Sequence, residues 1–409
     1  MQSLFVGIDV SSRSNVVCLM LPDGTRHSVF NVGNTFDGAR ELSGKIVKVC
    51  GQHELSSVVI GLEATGVYGD NLLCFLREDA ALAALSPKLH LLNPKQISKF
   101  KDAYPELSKT DAIDAFIIAD RLRFGRIPPS VYTVDYRYHA LRMLTRARCA
   151  AVENLSRQKQ QFMNYVFLKC SALAQDKVFS NTFGATSLAV LEAFESPDEL
   201  VNMDLDQLID FLVEKGKNRF PDPSAVAQAV QAAARGSYRL PKTVNDSVNQ
   251  VLSISISSMR AVQAQIKALD IEIERQLALI PNTLLSVKGI GPVFTAGIIA
   301  EVGDVRRFPN QAALAKYAGL AWKTHQSGQF EADTTRLIQS GNRFLRAYLC
   351  EAAFALVRCD TEFRRFYDLK YREVNRHQHK RALALTARKL VRLVFRLLTD
   401  NRLYIPAAG

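Results

Sequence analysis

Two apolar runs near the start of the chain, Leu4-Phe5-Val6-Gly7-Ile8 and Val58-Val59-Ile60-Gly61-Leu62, are almost uninterrupted. Short runs of that kind read as strands covered on both faces. The first predicts a strand over 4–10. A second strand is expected at 16–21, a tight turn at Pro22-Asp23-Gly24, and a third strand at 29–32. Helices are expected from Thr35 to about Cys50 and from Gly69 to Asp79, with a further buried strand at 89–92 that Asn93-Pro94 ends. Strands that lead and then alternate with helices predict a mixed α/β sheet with helices packed on it.

Beyond Thr110 the pattern turns helical to about Phe124 and breaks at Pro128-Pro129. Residues 137–173 read as one long helix with basic and Gln-rich faces. Residues 174–242 are broken by Pro197, Pro221, Pro223 and Pro241 and read as an inserted helical region. From Val244 to Ile280 apolar residues recur in heptad-like steps: Leu252, Ile256, Met259, Val262, Ile266, Leu269, Ile273. A core helix of a bundle and an intermolecular coiled coil both satisfy that pattern, and antiparallel pairing of the two long helices would satisfy both readings. The expected domains are 1–130, an acid-bearing α/β domain; 131–280, the long helices with their insertion at about 174–242; and 281–409, a helical C-terminal domain.

With 409 residues, 48% of them hydrophobic, the chain has room for two or three such domains. Its formal charge of +12 points to a polyanionic partner. The excess is C-terminal: residues 341–403 hold fifteen Lys plus Arg against six Asp plus Glu. A solvated basic face is the plainer account of such a run. The seven cysteines form no Cys-x-x-Cys pair and no ligand ladder with histidine, so they read as small core residues of a protein in a reducing cytosol, with no zinc site. No basic leader and no run approaching a membrane span is present, which predicts a cytoplasmic protein without a membrane partner.

The candidate chemistry begins with four carboxylates. Asp9 closes the first apolar run and Glu63 the second; Asp111 and Asp114 lie three apart where a helix opens. Two acids at strand ends and two on one helix face can meet at one edge of a sheet. Such a group repels itself unless a cation sits in it, and hard oxygen ligands suit Mg²⁺. That chemistry points to phosphoryl transfer on a polyanion. A second motif, Leu284-Leu285-Ser286-Val287-Lys288-Gly289-Ile290-Gly291-Pro292, has the form of a helix-hairpin-helix, in which Lys288, Gly289 and Gly291 would meet a phosphate. An ordinary helical hairpin with a Gly turn is the alternative. A third is Tyr317-Ala318-Gly319-Leu320, then Ser327-Gly328, then Gly341-Asn342-Arg343-Phe344-Leu345-Arg346. A Ser-Gly in a polar loop is by itself an ordinary turn. Lys109, Arg343 and Arg346 are candidates to hold phosphates, or are simply solvated.

Taken in order, these pieces resemble the DEDD transposases of the insertion-sequence one-ten family, relatives of the Piv-type DNA invertases. The likeness rests on Gly7-Ile8-Asp9, Glu63-Ala64-Thr65-Gly66, Asn93-Pro94, Lys109-Thr110-Asp111-Ala112-Ile113-Asp114-Ala115, Gly289-Ile290-Gly291, Ala318-Gly319-Leu320, Gln326-Ser327-Gly328, Gly341-Asn342 and Leu345-Arg346, and so runs over nearly the whole chain. It implies a RuvC-like (RNase H-like) N-terminal domain whose Asp9, Glu63, Asp111 and Asp114 hold Mg²⁺. It implies a C-terminal transposase domain whose Ser327 is the nucleophile, joined covalently to DNA on cleavage. It further implies donor and target DNA and a structured bridge RNA as partners, and dimers that pair into tetramers, one subunit lending its acids and another its serine. Residues 174–242 depart from the family in length.

Three other functions fit part of the pattern. A RuvC-like junction nuclease would need the four acids alone. An actin-like ATPase would use Gly7-Ile8-Asp9 and Ser11-Ser12 as a phosphate loop, but no later Gly-Gly adenosine motif follows. A non-catalytic DNA-binding protein accounts for charge and hairpin and leaves the acids unexplained.

Overall fold

The structure is a computed structural model and describes residues 2–64, 66–104, 106, 110–125, 127, 135–322, 326–327, 330–331, 337 and 341–406, with the backbone alone at 326–327 and 330–331. Lys109, Thr65, Pro128, Pro129 and Gly328 lie outside the described residues, as does the side chain of Ser327. The chain divides into two compact units: residues 1–135, 304–313 and 322–341 form the first, and 136–303, 314–321 and 342–409 the second.

The first unit is built on strands β1 (Ser3–Val10), β2 (Ser14–Met20), β3 (Arg26–Gly33), β4 (Ser57–Glu63) and β5 (Lys88–Leu92), with helices α1 (Phe36–Gln52), α2 (Asp70–Glu78), α3 (Ala80–Ala83), α4 (Pro94–Lys101) and α5 (Asp111–Phe124). The sheet order is β3-β2-β1-β4-β5. β1, β2 and β3 run antiparallel, whereas β1-β4 and β4-β5 are parallel. The mixed α/β expectation therefore holds. β3 is longer than the 29–32 anticipated, because its first residues Arg26-His27-Ser28 lie on an exposed stretch of this edge strand and carry no apolar signal.

Strand residues alternate between two faces. Leu4, Val6 and Ile8 of β1, Val17 and Leu19 of β2, and Val58, Ile60 and Leu62 of β4 form one core with Leu42 and Ile46 of α1. Thr35 starts α1 by accepting the Gly38 N–H on its hydroxyl, a cap that contributes about 1 kcal/mol. On the other face Cys18 and Met20 pack against Ala115 and Ala119 of α5. Gly7 is what lets that helix come down on β1. A Cβ there would lie 2.1 Å from the Ala115 carbonyl oxygen and 2.4 Å from the Ala119 nitrogen. Gly61, in register with Gly7, makes the same room beside Leu122.

The second unit contains α6 (Tyr136–Lys169), the short helices α7 (Ser171–Gln175), α8 (Ala185–Ala193), α9 (Pro197–Asn202), α10 (Leu205–Gly216) and α11 (Pro223–Arg235), and then α12 (Lys242–Leu277). α6 and α12 are antiparallel: Arg137 donates to the Leu279 carbonyl, Arg148 pairs with Asp270, and Phe162 and Val166 pack with Leu252, Ile256 and Met259. Five residues of the heptad-like stripe, Leu252, Ile256, Met259, Val262 and Ile273, are buried, while Ile266 and Leu269 are half-buried. The proline-broken stretch folds as short helices with a core of Val190, Leu208, Leu212, Ala227 and Val230. Prolines begin α9 and α11 at their first turns, where a missing N–H costs nothing.

Next come α13 (Pro292–Val302), α14 (Gln311–Tyr317), a two-residue antiparallel pair β6 (Gln326–Ser327) and β7 (Phe330–Glu331), and helices α15 (Arg343–Cys359), α16 (Thr361–Arg372) and α17 (Gln378–Asp400). Ser327 thus stands on a short strand, where the sequence reads only as a loop. Among the described residues no helix is long and apolar enough to cross a membrane.

Candidate active site

Two strands and one helix start bring the four acids together. Ile8 pairs with Leu62 across parallel β1 and β4, so Asp9 and Glu63 follow at matching positions at the C-terminal ends of both strands. Each lies two residues beyond a glycine on which α5 packs, hence on the α5 face of the sheet. Asp111 and Asp114 occupy the first turn of α5, behind the Thr110 hydroxyl that accepts the Ile113 N–H. Acids are also favoured there by the helix dipole alone.

Asp9 and Glu63 each feel burial and then nearby acids. Asp9 is half-buried, and burial, followed by the charges of Asp114 and Asp111, pushes its carboxyl above the ordinary range; Lys101 and the Val10 N–H pull the other way. Burial, then Asp9 and Asp114, push Glu63 up in the same sense. Lys101, the last residue of α4, forms an ion pair with Asp114, both side chains being partly shielded from solvent. Lys101 went unnoticed in the sequence, because nothing local marks two residues thirteen apart on different helices as partners. Asn93 starts α4 by accepting the Lys95 N–H, and so aims its far end at the acids.

Hard carboxylate oxygens, raised by burial and then by neighbouring acids, are the donor chemistry of a divalent cation. The arrangement is not a closed cage: among the described residues no three Asp, Glu, His or Cys side chains are grouped so as to hold an ion. Asp114 is instead engaged by the Lys101 ammonium.

In the second unit the glycine motif takes a form the sequence did not anticipate. It is preceded by one turn of 3-10 helix, Leu284–Ser286, rather than by a full helix directly against it. Gly289 has φ of +103°, a backbone that favours glycine, and a Cβ there would lie 3.2 Å from that of Cys359. Packing on α15 by itself calls for a glycine at this position. Gly291 precedes Pro292 at the start of α13 with open space around its Cα, and Lys288 is exposed. Arg343 is exposed and stacks over Phe344, while the buried Nη1 of Arg346 has no hydrogen-bond partner among the described residues. Glu301, an acid inside the apolar run 296–302, is buried at 1% exposure, and was missed although that setting is the signal that marks it.

A family model of the DEDD transposases of IS110 elements matches residues 6–168, a span that includes all four acids. A second model, described as transposase IS116/IS110/IS902 family, matches residues 282–368, with Ser327 inside it. The chain belongs to this family. The transposase is 27% identical to the 42 kDa protein of insertion element IS900 of Mycobacterium paratuberculosis, over 99% of its own length and 98% of that protein's. It is also 27% identical to the 44.8 kDa protein of insertion element IS116 of Streptomyces clavuligerus, over 80% of each chain. The putative transposase of the IS117 mini-circle of Streptomyces coelicolor is 25% identical over 87% of this transposase and 84% of that one. The protein is accordingly a DNA transposase of the insertion-sequence type.

Proposed function

We propose that this transposase cuts and rejoins DNA through Ser327, assisted by Mg²⁺ at Asp9, Glu63, Asp111 and Asp114. The observation that supports the reading is the placement of Asp9 and Glu63 at matching strand ends on the face where α5 packs, with Asp111 and Asp114 in the first turn of that helix; burial first, and then neighbouring acids, raise Asp9 and Glu63. The strand order and the antiparallel-then-parallel pairing support an RNase H-like (RuvC-like) assignment for this unit. When bound, Mg²⁺ supplies positive charge to the scissile phosphate. Lys101, the ion-pair partner of Asp114, would be free to face the polyanion if a cation took its place on that carboxylate. The Ser327 oxygen bonds to phosphorus as the bond from phosphorus to one deoxyribose oxygen breaks, and the serine proton ends on that oxygen. The phosphodiester energy stays in the phosphoserine, so the reverse attack rejoins strands without ATP.

Donor and target DNA, a structured bridge RNA, and a dimer that pairs into a tetramer complete the reading, in the cytoplasm. The basic stretch 341–403, and the Arg346 and Arg388 Nη1 atoms that have no hydrogen-bond partner among the described residues, support phosphate contacts there. Lys109, Lys288, Gly289, Gly291 and Arg343 remain proposed contacts, and the α6–α12 pair a proposed coiled-coil region.

The deciding experiment uses Ser327→Ala on a supercoiled donor plasmid. Wild type is expected to give a covalent protein–DNA adduct with phosphoserine at residue 327, and the variant none, with no strand cut. Full cleavage by the variant would make the protein a hydrolytic, junction-type nuclease instead.

A further inference from the structure

The segment carrying Ser327, residues 322–341, leaves the second unit after Ala321 and returns at Asn342. Within that unit Tyr317, at the end of α14, is tied to Asn342. The Asn342 N–H donates to the Tyr317 carbonyl at 2.7 Å, and Asn342 Nδ2 donates to the Tyr317 hydroxyl at 3.2 Å. The same Nδ2 donates to Glu301 Oε2 at 2.7 Å. Asn342 Oδ1 faces the other way and caps α15, accepting the Phe344 N–H at 3.0 Å and the Leu345 N–H at 3.1 Å.

Glu301 is in turn held by α6. Arg146 grips it with two parallel bonds, Nε to Oε1 at 2.7 Å and Nη2 to Oε2 at 2.9 Å. Arg142 Nε approaches to 4.0 Å and donates to the neighbouring Ala300 carbonyl at 3.0 Å. The Arg146 guanidinium lies 4.7 Å over the Phe344 ring, two residues into α15.

A buried ion pair is weak evidence of a stabilising role, since apolar replacements of equal volume often do as well or better. What an apolar pair would not do is orient Asn342. A carboxylate only accepts hydrogen bonds, so it forces the amide to present Nδ2 inward and leaves Oδ1 for the helix start. Reversing that amide would set N–H against N–H at the first turn of α15 and release the base of the loop.

We propose that Glu301 is a positioning residue: oriented by Arg146, it fixes Asn342 and thereby closes the base of the serine segment, placing Ser327 for attack. This rests on the reading of Ser327 as nucleophile.

The test uses the full-length protein with Glu301→Gln, Asn342→Asp, their combination, and Tyr317→Phe. Measured on each are the single-turnover rate of adduct formation at saturating donor DNA, the Kd for that DNA, and thermal stability. In Glu301→Gln the new amide competes with that of Asn342, and in Asn342→Asp two carboxylates face each other. Each single variant is expected to lose at least tenfold in adduct rate with Kd within twofold of wild type. The combination restores a donor facing an acceptor and the original net charge, and should regain at least fivefold over either single change. Tyr317→Phe, which removes one hydroxyl and should fold in any case, is expected to slow the adduct step severalfold at unchanged stability and Kd. Variants that react as fast as wild type once folded, or a combination no faster than its parents, would overturn the proposal. If wild type itself cuts DNA without forming an adduct, the nucleophile reading fails and this proposal falls with it, a result distinct from equal adduct rates.

Discussion

Replacing Gly7 by alanine tests whether the seating of α5 on β1 is what assembles the acids. The added Cβ would sit 2.1 Å from the Ala115 oxygen and 2.4 Å from the Ala119 nitrogen. Van der Waals contact lies at about 3.5 Å, and both obstacles are helix backbone, so no side chain can turn away to make room. The helix must lift by about 1 Å or more. Overpacking of this kind costs about 1–3 kcal/mol. The larger consequence is at the helix start, because Asp111 and Asp114 move with α5 while Asp9 stays with β1. A misplacement of about 1 Å in a reacting constellation costs on the order of 100-fold in rate. Two controls separate the site from the core. Gly61→Ala meets only the Leu122 side chain, at 2.9 Å, and a shift off its preferred rotamer costs about 1 kcal/mol. Gly44→Ala, on an exposed turn of α1 with nothing within 4 Å, should stabilise by roughly 0.5–1 kcal/mol. The assay is single-turnover cleavage of a supercoiled donor plasmid, alongside calorimetric unfolding. Gly7→Ala with wild-type rate and stability would refute the account of how β1 and α5 place the four acids.

Asp9→Asn should separate stability from activity. Its carboxyl is raised in the fold, so the stability it contributes is present below its unfolded value, about 3.9, and is lost as pH rises through the folded one. In EDTA at pH 7 the variant should therefore melt higher than wild type and show a flatter pH dependence, while cleavage in Mg²⁺ is lost; a lower melting temperature would contradict the coupling. Lys169, on the last turn of α6, is buried and donates to the Leu191 carbonyl at 2.7 Å, and burial pulls its ammonium down to about 8. A depressed lysine contributes stability above its unfolded value, about 10.4, and loses it as pH falls through the folded one. Lys169→Met should then gain up to about 3 kcal/mol at pH 7, less about 1 kcal/mol for the orphaned carbonyl, with the gain vanishing near pH 10 in thermal unfolding; an equal gain at both pH values would count against the assignment.

The apolar runs and their closing acids were legible because period-two strands with both faces covered leave a continuous hydrophobic signature. Asp9 and Glu63 stand out as charges that end such runs, and Asp111 and Asp114 as a pair on one helix turn behind a capping threonine. The apolar spacing of 244–280 marks a long helix with one buried stripe, which antiparallel pairing with 137–173 would satisfy. These are local patterns, written in neighbours along the chain.

What the tertiary structure decided is everything that depends on partners distant in sequence. Gly7 and Gly61 are plain strand residues until the register sets them side by side under α5. Lys101 becomes the counter-charge of Asp114 only because a turn after β5 points α4 at the acids. Gly289 comes against Cys359, seventy residues on, only in the fold. Glu301 reads as one acid in an apolar helix; the fold supplies Arg146 from α6 and Asn342 from the start of α15, without which its burial would cost several kcal/mol. Sequence fixes which residues can take part in chemistry through local periodicity and residue type. Burial and electrostatics, which depend on distance in space, determine which of them act together.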